Sequence, residues 1–239
     1  NIGGRSRALA IDVTDPMCNT LLAGGVSGGM WRSTDGGDSW ARVTPPENLQ
    51  AVSCLVQDVR PGHENVFYYG TGEVKAGSPS QNGDLYRGDG IWKSIDGGLT
   101  WEVLPATTTG VPQYLDQPFD YVQDLAVDPS ETGYDEVYAA TYGFIYRSID
   151  GGQTWTAVLG DPDLRSRFTD VDVSTTGVVY AGLSADGGMH GVFRSTDGVN
   201  WTNISPDYMD DHRRIVIALA PSNENIAYVV DSETAGTTF

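Results

Sequence analysis

Short apolar runs, each followed by a cluster of turn-forming residues, dominate the hydrophobic pattern of this chain. At the start of the sequence these runs lie at 8–13, 20–23, 29–33 and 40–43. They contain β-branched and aromatic residues and are bounded by Asp, Gly, Pro, Asn or Ser, which is typical of β-strands. No useful length of chain shows the 3.6-residue period of an amphipathic helix. The pattern therefore predicts consecutive short strands joined by tight turns.

A turn motif, Ser-x-Asp-Gly-Gly-x-Ser/Thr-Trp, recurs between the third and fourth runs of each group. It occupies residues 33–40, 94–101, 148–155 and, one residue shorter, 195–201. Successive copies are roughly 50 residues apart, and a repeat of this length with four strands is typical of a β-propeller blade.

We therefore predict an all-β fold: a partial β-propeller of four-stranded antiparallel blades, with four blades and half of a fifth. The predicted blades span about 5–44, 52–105, 121–159, 167–205 and, incomplete, 213–239, within a single domain 1–239. Because the last group contains only two runs, we expect the sequence to be part of a longer polypeptide or of an assembly.

The composition of the turn motif is explained by the needs of a hairpin. Asp accepts backbone N–H bonds in tight turns, Gly adopts positive φ at low cost, and Trp returns the chain to the apolar layer. The residues that we assign to this structural role are Asp35, Trp40, Asp96, Trp101, Asp150, Trp155, Asp197 and Trp201. No catalytic residue is assigned.

These four segments resemble Asp-box (BNR) repeats, in which Asp35, Asp96, Asp150 and Asp197 would be the box aspartates. Such repeats occur in bacterial sialidases, sortilin-type receptors, xyloglucan-degrading endoglucanases and a photosystem assembly factor. Residues 1–12 and 22–37 also resemble the propeller start of secreted Bacteroidetes-type surface proteins. The resemblance implies a propeller fold and an extracellular or cell-surface location, but the repeat is shared by unrelated activities.

Charge excludes two classes of partner. The chain has 32 acidic and 14 basic residues, a formal net charge of −18, whereas nucleic acids and anionic membranes require a basic surface. No apolar stretch approaches the ~18 residues of a membrane span. We therefore expect neither nucleic-acid binding nor membrane insertion.

Calcium is the only cofactor that the sequence suggests, through the acidic loops 128–136 and 207–211, although neither has EF-hand spacing. The three histidines fall in different repeats without the ligand spacing of a zinc site. Cys18 and Cys54 are compatible with either a disulfide or two thiols, and the sequence leaves both open.

The loops on the face opposite the turn motifs vary in length, and variable loops on a rigid scaffold often carry binding sites. They combine carboxylates with aromatic rings, as a glycan site requires. The candidate ligand-binding residues are Glu73, Asp84, Tyr86, Asp89, Tyr114, Asp116, Asp120, Tyr121, Asp210 and Asp211.

From these features we expect a secreted or cell-surface bacterial module that binds a glycan or a protein without catalysis by this segment. One alternative is a glycoside hydrolase of the sialidase or endoglucanase type. Against it, arginines are few, no Arg-Ile-Pro motif occurs, and the endoglucanases use two tandem propellers. A second alternative is a structural subunit of a surface adhesin or fibre.

Overall fold

The structure is a computed structural model that describes residues 5–45, 51–73, 86, 88–112, 114–162, 168–184, 189–207, 212–220 and 222–233. The chain divides into two compact units, Asn1–Leu125 and Ala126–Phe239. The four-stranded sheets pair in chain order, so each is an antiparallel meander. The predicted all-β fold of four-stranded antiparallel sheets is confirmed.

The first unit contains two complete sheets. The first sheet consists of β1 (Ser6–Ile11), β2 (Leu21–Gly25), β3 (Gly29–Ser33) and β4 (Ala41–Arg42). The second consists of β5 (Val52–Gln57), β6 (Phe67–Thr71), β7 (Ile91–Ser94) and β8 (Glu102–Val103). Two single-turn 3-10 helices, Pro105–Thr107 and Pro118–Asp120, follow β8.

The third sheet begins with β9 (Val122–Val127), which contains the boundary between the units. It continues with β10 (Val137–Thr141), β11 (Phe144–Ser148) and β12 (Thr156–Gly160). The second unit also contains a sheet of β13 (Thr169–Val173), β14 (Val179–Leu183), β15 (Gly191–Ser195) and β16 (Trp201–Asn203). In its described residues the last sheet has two strands, β17 (His212–Leu219) and β18 (Ala227–Glu233).

Small residues on the second strand of a sheet let the first strand of the next sheet approach closely. A Cβ on Gly24 in β2 would lie 2.3 Å from Cγ1 of Val52 in β5. In the second unit, a Cβ on Gly182 in β14 would lie 2.8 Å from Cγ2 of Ile215 in β17. Side chains larger than hydrogen do not fit at these two positions, so glycine there is a requirement of packing between sheets.

The core of each unit consists of side chains from the sheet faces, because alternate residues of a strand point to the same side. In the first unit the cluster is formed by Ala8, Leu22, Met30, Val52, Phe67, Tyr69 and Trp92. In the second unit its principal members are Tyr138, Ile145, Val171, Val179, Leu183 and Phe193. The predicted extent of the blades and their membership of a single domain stay predictions.

The turn motif folds around its aspartate. In the second copy, Asp96 Oδ1 accepts hydrogen bonds from Ser94 Oγ at 2.8 Å and from the backbone N–H of Thr100 at 2.9 Å, while Oδ2 accepts from Thr100 Oγ1 at 2.6 Å. Ser94 Oγ also accepts from the Gly98 N–H, and Trp101 Nε1 donates to the Gly98 carbonyl. Equivalent bonds form around Asp35 and Asp150.

The fourth copy is one residue shorter, and its geometry differs accordingly. Asn200 donates through its backbone N–H and its Nδ2 to the carboxylate of Asp197, each at 2.7 Å. Gly198 lies three residues before Trp201, as the second glycine of each other copy lies three residues before its tryptophan, and the copy is one residue shorter ahead of it. Trp201 Nε1 is buried and has no hydrogen-bond partner among the described residues, whereas each of the other three motif tryptophans donates to that glycine's carbonyl.

Candidate functional site

Glu73 is a buried acid at the start of the loop that follows β6. Its side chain is 3% exposed, and its carboxylate accepts hydrogen bonds from the guanidinium groups of Arg5, which precedes β1, and Arg7, which lies in it. Its backbone forms a β-bridge with Tyr86, with N···O distances of 2.6 and 3.2 Å. Because two cations hold this buried carboxylate, Glu73 anchors the loop and does not face solvent.

Asp89 lies in the segment that leads into β7, and it is also buried. Its Oδ1 accepts hydrogen bonds from Thr108 Oγ1 at 2.6 Å and from the Thr109 N–H at 3.1 Å, and its own N–H donates to Thr71 Oγ1. Thr109 Oγ1 in turn lies 3.2 Å from both carboxylate oxygens of Asp116. Two adjacent threonines thus connect a buried carboxylate with an exposed one.

Asp120 ends the second 3-10 helix and is 1% exposed. Its Oδ2 accepts the backbone N–H groups of Asp116 at 2.8 Å and Gln117 at 3.0 Å. Burial raises the pKa of Asp120; the two N–H bonds oppose this, and the charges of Asp116 and Asp89 add to it. Asp120 therefore holds the backbone of the loop that presents Asp116.

The described candidates fall into two groups. Glu73, Asp89, Asp120 and Tyr121 are each no more than 6% exposed, so they support the loops from inside and are not positioned to contact a ligand. Tyr86, Tyr114 and Asp116 are exposed, and their contact with a ligand stays a prediction. Asp84, Asp210 and Asp211 lie outside the described residues.

The turn-motif aspartates have the opposite electrostatic character. Hydrogen bonds from Ser39 and Ser33 lower the pKa of Asp35 from 3.8 to about 2. The pKa of Asp197 is lowered chiefly by Asn200. For Asp96, partial burial raises the pKa, but the bonds from Thr100 and Ser94 outweigh it, and the net shift is downward. Carboxylates kept ionised and occupied by the turn are suited to structure and not to proton transfer.

Sequence reasoning missed a second repeated contact, at the opposite end of the third strand. A hydroxyl that follows the fourth strand accepts the N–H of the residue after a glycine. These bonds are Met30 N–H to Thr44 Oγ1, Ile91 N–H to Thr107 Oγ1 and Val192 N–H to Ser205 Oγ, at 2.9–3.0 Å. The glycines concerned, Gly29, Gly90 and Gly191, have positive φ. A Ser or Thr recurring after the fourth run was the available signal.

The arginine pair around Glu73 was also missed. Arg5 and Arg7 are two residues apart, and in the structure both bind the carboxylate of Glu73. Glu73 lies 68 positions after Arg5 and 66 positions after Arg7 in the sequence. Two cations so close in an acidic chain were the local signal. Their partner was not readable, since Glu73 is remote in sequence.

In loop 128–136, the first candidate calcium loop, the carboxylates accept hydrogen bonds from groups of the protein itself. Asp128 Oδ1 accepts from the Ser130 N–H and hydroxyl at 2.7 Å, and Glu136 Oε1 accepts from Arg147 Nε at 2.7 Å. Most of loop 207–211 lies outside the described residues. Calcium binding stays a prediction. Cys18 is exposed and Cys54 is buried, and both are free thiols.

Two shallow grooves of about 280 Å³ lie beside outer strands, near the turn motifs and not among the acidic loops. One is lined by Lys93, Ile95, Thr100, Glu102, Val103, Leu104 and Pro105. The other is lined by Arg147, Ile149, Thr154, Thr156, Ala157, Val158 and Val199. Because most of these residues occupy equivalent positions in two repeats, we attribute the grooves to the repeat itself.

The amino-acid sequence of this chain is similar to that of proteins named xyloglucanases. It is 32% identical over 239 residues to a xyloglucanase of a Paenibacillus species, which covers 83% of this chain and 21% of that protein. It is 30% identical over 180 residues to xyloglucanase Xgh74A of Acetivibrio thermocellus, with 65% and 20% covered. The chain thus spans about a fifth of the length of these curated relatives. No family model matches the chain.

Comparison with solved structures supports the fold. An ancestral GH74 enzyme superposes with a TM-score of 0.68 at 20% identity, over 97% of this chain and 30% of that one. The predicted partial β-propeller is confirmed by this likeness together with the four-stranded sheets. Among the residues that the structure describes, no helix has both the length and the apolar character needed to cross a membrane.

These relatives correct the function expected from the sequence. A binding module without catalysis was expected, whereas relatives named xyloglucanase favour the glycoside hydrolase alternative. The expectation failed because the turn motif serves hairpin structure in proteins of unrelated activity, so it carries no information on catalysis.

Proposed function

We propose that this chain is part of a secreted bacterial glycoside hydrolase that acts on xyloglucan or a closely related polysaccharide. The observation that carries the proposal is the 32% identity to a xyloglucanase over 83% of the chain. We also propose that the turn motifs are Asp-box repeats and that the sheets are the blades of one propeller domain. The carbohydrate is the proposed ligand, and an extracellular location follows from an extracellular polymer as substrate.

Within this chain we propose that the exposed residues Tyr86, Tyr114 and Asp116 contact the polysaccharide. Tyr114 is 64% exposed, which leaves a ring face available for a sugar. Aromatic rings pack on the apolar faces of pyranose rings, while carboxylates accept hydrogen bonds from sugar hydroxyls. Asp116 lies two positions from Tyr114 on the same loop, so one segment offers both types of contact.

Asp120 is proposed as a positioning residue for this loop. It binds the backbone N–H groups of Asp116 and Gln117, and Gln117 Nε2 donates to the Thr107 carbonyl at 2.8 Å. The loop is therefore held at both its end and its base. A preorganised loop spends less of its binding energy on ordering when the sugar binds.

The proposal is tested on the whole hydrolase of which this chain is proposed to be a part. The purified protein is incubated with xyloglucan and the release of reducing ends is measured, and affinity electrophoresis is run in gels that contain xyloglucan. We expect turnover, and a loss of affinity of about threefold to tenfold in Tyr114→Ala and Asp116→Asn. Asp38→Asn, an equally conservative change of an exposed acid in the first turn motif, is the matched control and should behave as the parent protein.

Two outcomes count against the proposal. Absence of both turnover and retardation on xyloglucan would reject the substrate. Affinity for xyloglucan that is unaffected by the changes at residues 114 and 116, with turnover retained, would reject the site while leaving the substrate in place.

A further inference from the structure

The groove lined by Arg147 and Val199 in the second unit differs in one respect from its counterpart in the first unit. In both grooves a cation of the third strand lies opposite a residue of the fourth strand: Lys93 faces Glu102, whereas Arg147 faces Thr156. Residues directly opposite on antiparallel strands have Cβ atoms about 4.5–5.5 Å apart. An acid therefore shares the first groove with the cation, but a neutral hydroxyl shares the second.

The guanidinium of Arg147 is anchored on one side by buried groups. Its Nε donates to Glu136 Oε1 at 2.7 Å, and its Nη2 donates to Tyr134 Oη at 3.3 Å. Glu136 is 3% exposed and also accepts the hydroxyl of Tyr138. Arg147 makes no other hydrogen bond with the residues that the structure describes. Because Arg147 lines the groove, both N–H groups of its Nη1 are available to a ligand there.

The shortened turn motif of the sheet β13–β16 forms another wall of the groove. A Cβ on Gly198 would lie 3.0 Å from Arg147 Nε and 1.9 Å from Tyr138 Oη, so this glycine packs directly on the cation. Val199 follows it, lines the groove and is 53% exposed. Contact between two sheets of the second unit thus fixes both the guanidinium and the rim of the groove.

Hydrogen-bond donors, acceptors and apolar groups meet in this groove. Arg147 supplies N–H donors. Thr154 Oγ1 gives its proton to Asp150 Oδ2 at 2.6 Å, so its lone pairs can accept a hydrogen bond. Thr156 Oγ1 forms no hydrogen bond with the described residues and can donate or accept. The rest of the lining is aliphatic: Ile149, Ala157, Val158 and Val199.

The charges around the groove favour an uncharged ligand. Arg147 is already paired with Glu136, and the carboxylate of Asp150 lies beyond Thr154. An added anion would therefore meet no net positive charge, and the chain as a whole carries −18. A neutral molecule rich in hydroxyls uses the donors and the acceptors without burying a charge. Pyranose rings have such hydroxyls together with apolar C–H faces, which suit an aliphatic wall.

We propose that this groove binds pyranose residues of a neutral polysaccharide, as a site distinct from the loop residues of the first unit. Nη1 of Arg147 donates to sugar oxygens, the two threonines bond sugar hydroxyls, and Val199 contacts the apolar face. The volume of about 280 Å³ is just below the usual range of ligand pockets, so the groove holds only a short segment of the polymer. The choice of xyloglucan as that polymer rests on the proposed function, whereas the choice of a neutral sugar does not.

Thr156→Glu tests the site by giving this groove the arrangement of its counterpart. The new carboxylate lies opposite Arg147, pairs with its open N–H groups and occupies the wall of the groove. Thr202→Glu is the matched control, because Thr202 is exposed, faces Arg194 in the next sheet and does not line this groove. Both changes are on the surface, and thermal melting should show that both variants fold.

Binding is followed by hydrogen–deuterium exchange mass spectrometry of the whole protein of which this chain is proposed to be a part. The probes are oligosaccharides from xyloglucan and from galactomannan. The method reports local protection, so a sugar bound elsewhere in the protein does not obscure the result. We expect at least one probe to slow exchange about threefold in peptides that cover 153–160. This protection should disappear in Thr156→Glu and be retained in Thr202→Glu.

Unchanged exchange in this segment with both probes would overturn the proposal, as would protection that persists in Thr156→Glu. Protection by anionic carboxymethylcellulose but by neither neutral probe would also overturn it, because the groove would then select an anion. The proposed hydrolase function fails by a different result, the absence of xyloglucan turnover, and protection by galactomannan does not depend on that turnover.

Discussion

Aspartates at the two ends of the first unit show how location changes the same side chain. Asp35 in a turn motif is exposed, accepts bonds from its immediate neighbours, and has its pKa lowered to about 2. Asp120 among the loops is buried, and its pKa is raised. Hydrogen bonding decides the first shift and desolvation the second. At one end of the sheets the aspartates are ionised and satisfied by their own turns, whereas at the other end Asp120 is removed from water and holds the loop backbone through hydrogen bonds.

The two ends also differ in the range of their contacts. The turn motif is held by bonds that span two to four residues, such as those of Asp96. The loop end depends on remote pairs, such as Arg7 with Glu73. Contacts within a repeat, such as those of the motif aspartates, recur from repeat to repeat, whereas the ion pair of Arg7 with Glu73 joins two repeats and belongs to one loop. This explains why the turn motif recurs while the loops vary.

The largest effect is expected from removal of a motif tryptophan. Trp101 packs edge-on against Tyr69, with 4.7 Å between ring centroids, in the core of the first unit. Trp101→Ala should lower the free energy of unfolding by about 3 kcal/mol through loss of apolar burial and the cavity that remains. Urea denaturation followed by circular dichroism measures this. A loss below about 1 kcal/mol would contradict the structural role of the motif.

Alanine substitutions at two adjacent glycines distinguish the cost of backbone strain from the cost of overpacking. Gly97 and Gly98 have φ of 75° and 77°. A Cβ on Gly98 would lie 2.2 Å from Leu22 Cδ2, whereas on Gly97 the nearest atom is 3.8 Å away. Gly97→Ala should cost about 1 kcal/mol for the left-handed conformation, and Gly98→Ala about 1–2 kcal/mol more for overpacking. Equal losses in urea denaturation would show that Leu22 moves aside freely.

A neutral isostere tests the turn-motif carboxylate. Asp96→Asn replaces the oxygen that accepts from Thr100 Oγ1 by an N–H₂ group, and we expect a loss of about 1 kcal/mol. Asp38→Asn changes an exposed acid in another copy of the motif and should stay within about 0.5 kcal/mol of the parent. Thermal melting at pH 7 compares the two. The idea fails if both variants lose the same stability.

The smallest effect is the opposite pH dependence of the two ends. Asp35 stabilises the fold above pH 3.8, and this contribution is lost as pH falls towards 2, because its folded pKa is lowered. Asp120 has a raised pKa, so its contribution is complete below pH 3.8 and is lost as pH rises through the folded pKa.

Melting temperatures of Asp35→Asn and Asp120→Asn between pH 2 and 7 test this contrast. Relative to the parent, Asp35→Asn should become less stable as pH rises from 2 to 4. Asp120→Asn should become relatively more stable as pH rises above 3.8. Parallel pH profiles for the two variants would contradict the contrast between the ends.

The strands and turns could be predicted because they are local and repeated. Four copies of Ser-x-Asp-Gly with a following Trp place the hairpin, and the runs on either side place the strands. The candidate site was predicted less well. Acidic residues are usually expected at the surface, but three of the candidates are buried. Their partners hold them inside: Arg7 binds Glu73, Thr108 binds Asp89, and the Asp116 N–H binds Asp120. These pairs become neighbours only after folding.

The sequence by itself determined the fold class, since strand period, turn chemistry and repeat length act over short distances. Only the tertiary structure decided which acids are buried and which aromatic rings remain on the surface. Those properties depend on which segments meet in space. Burial then raises the pKa of Asp120, and exposure leaves the ring of Tyr114 available for contact.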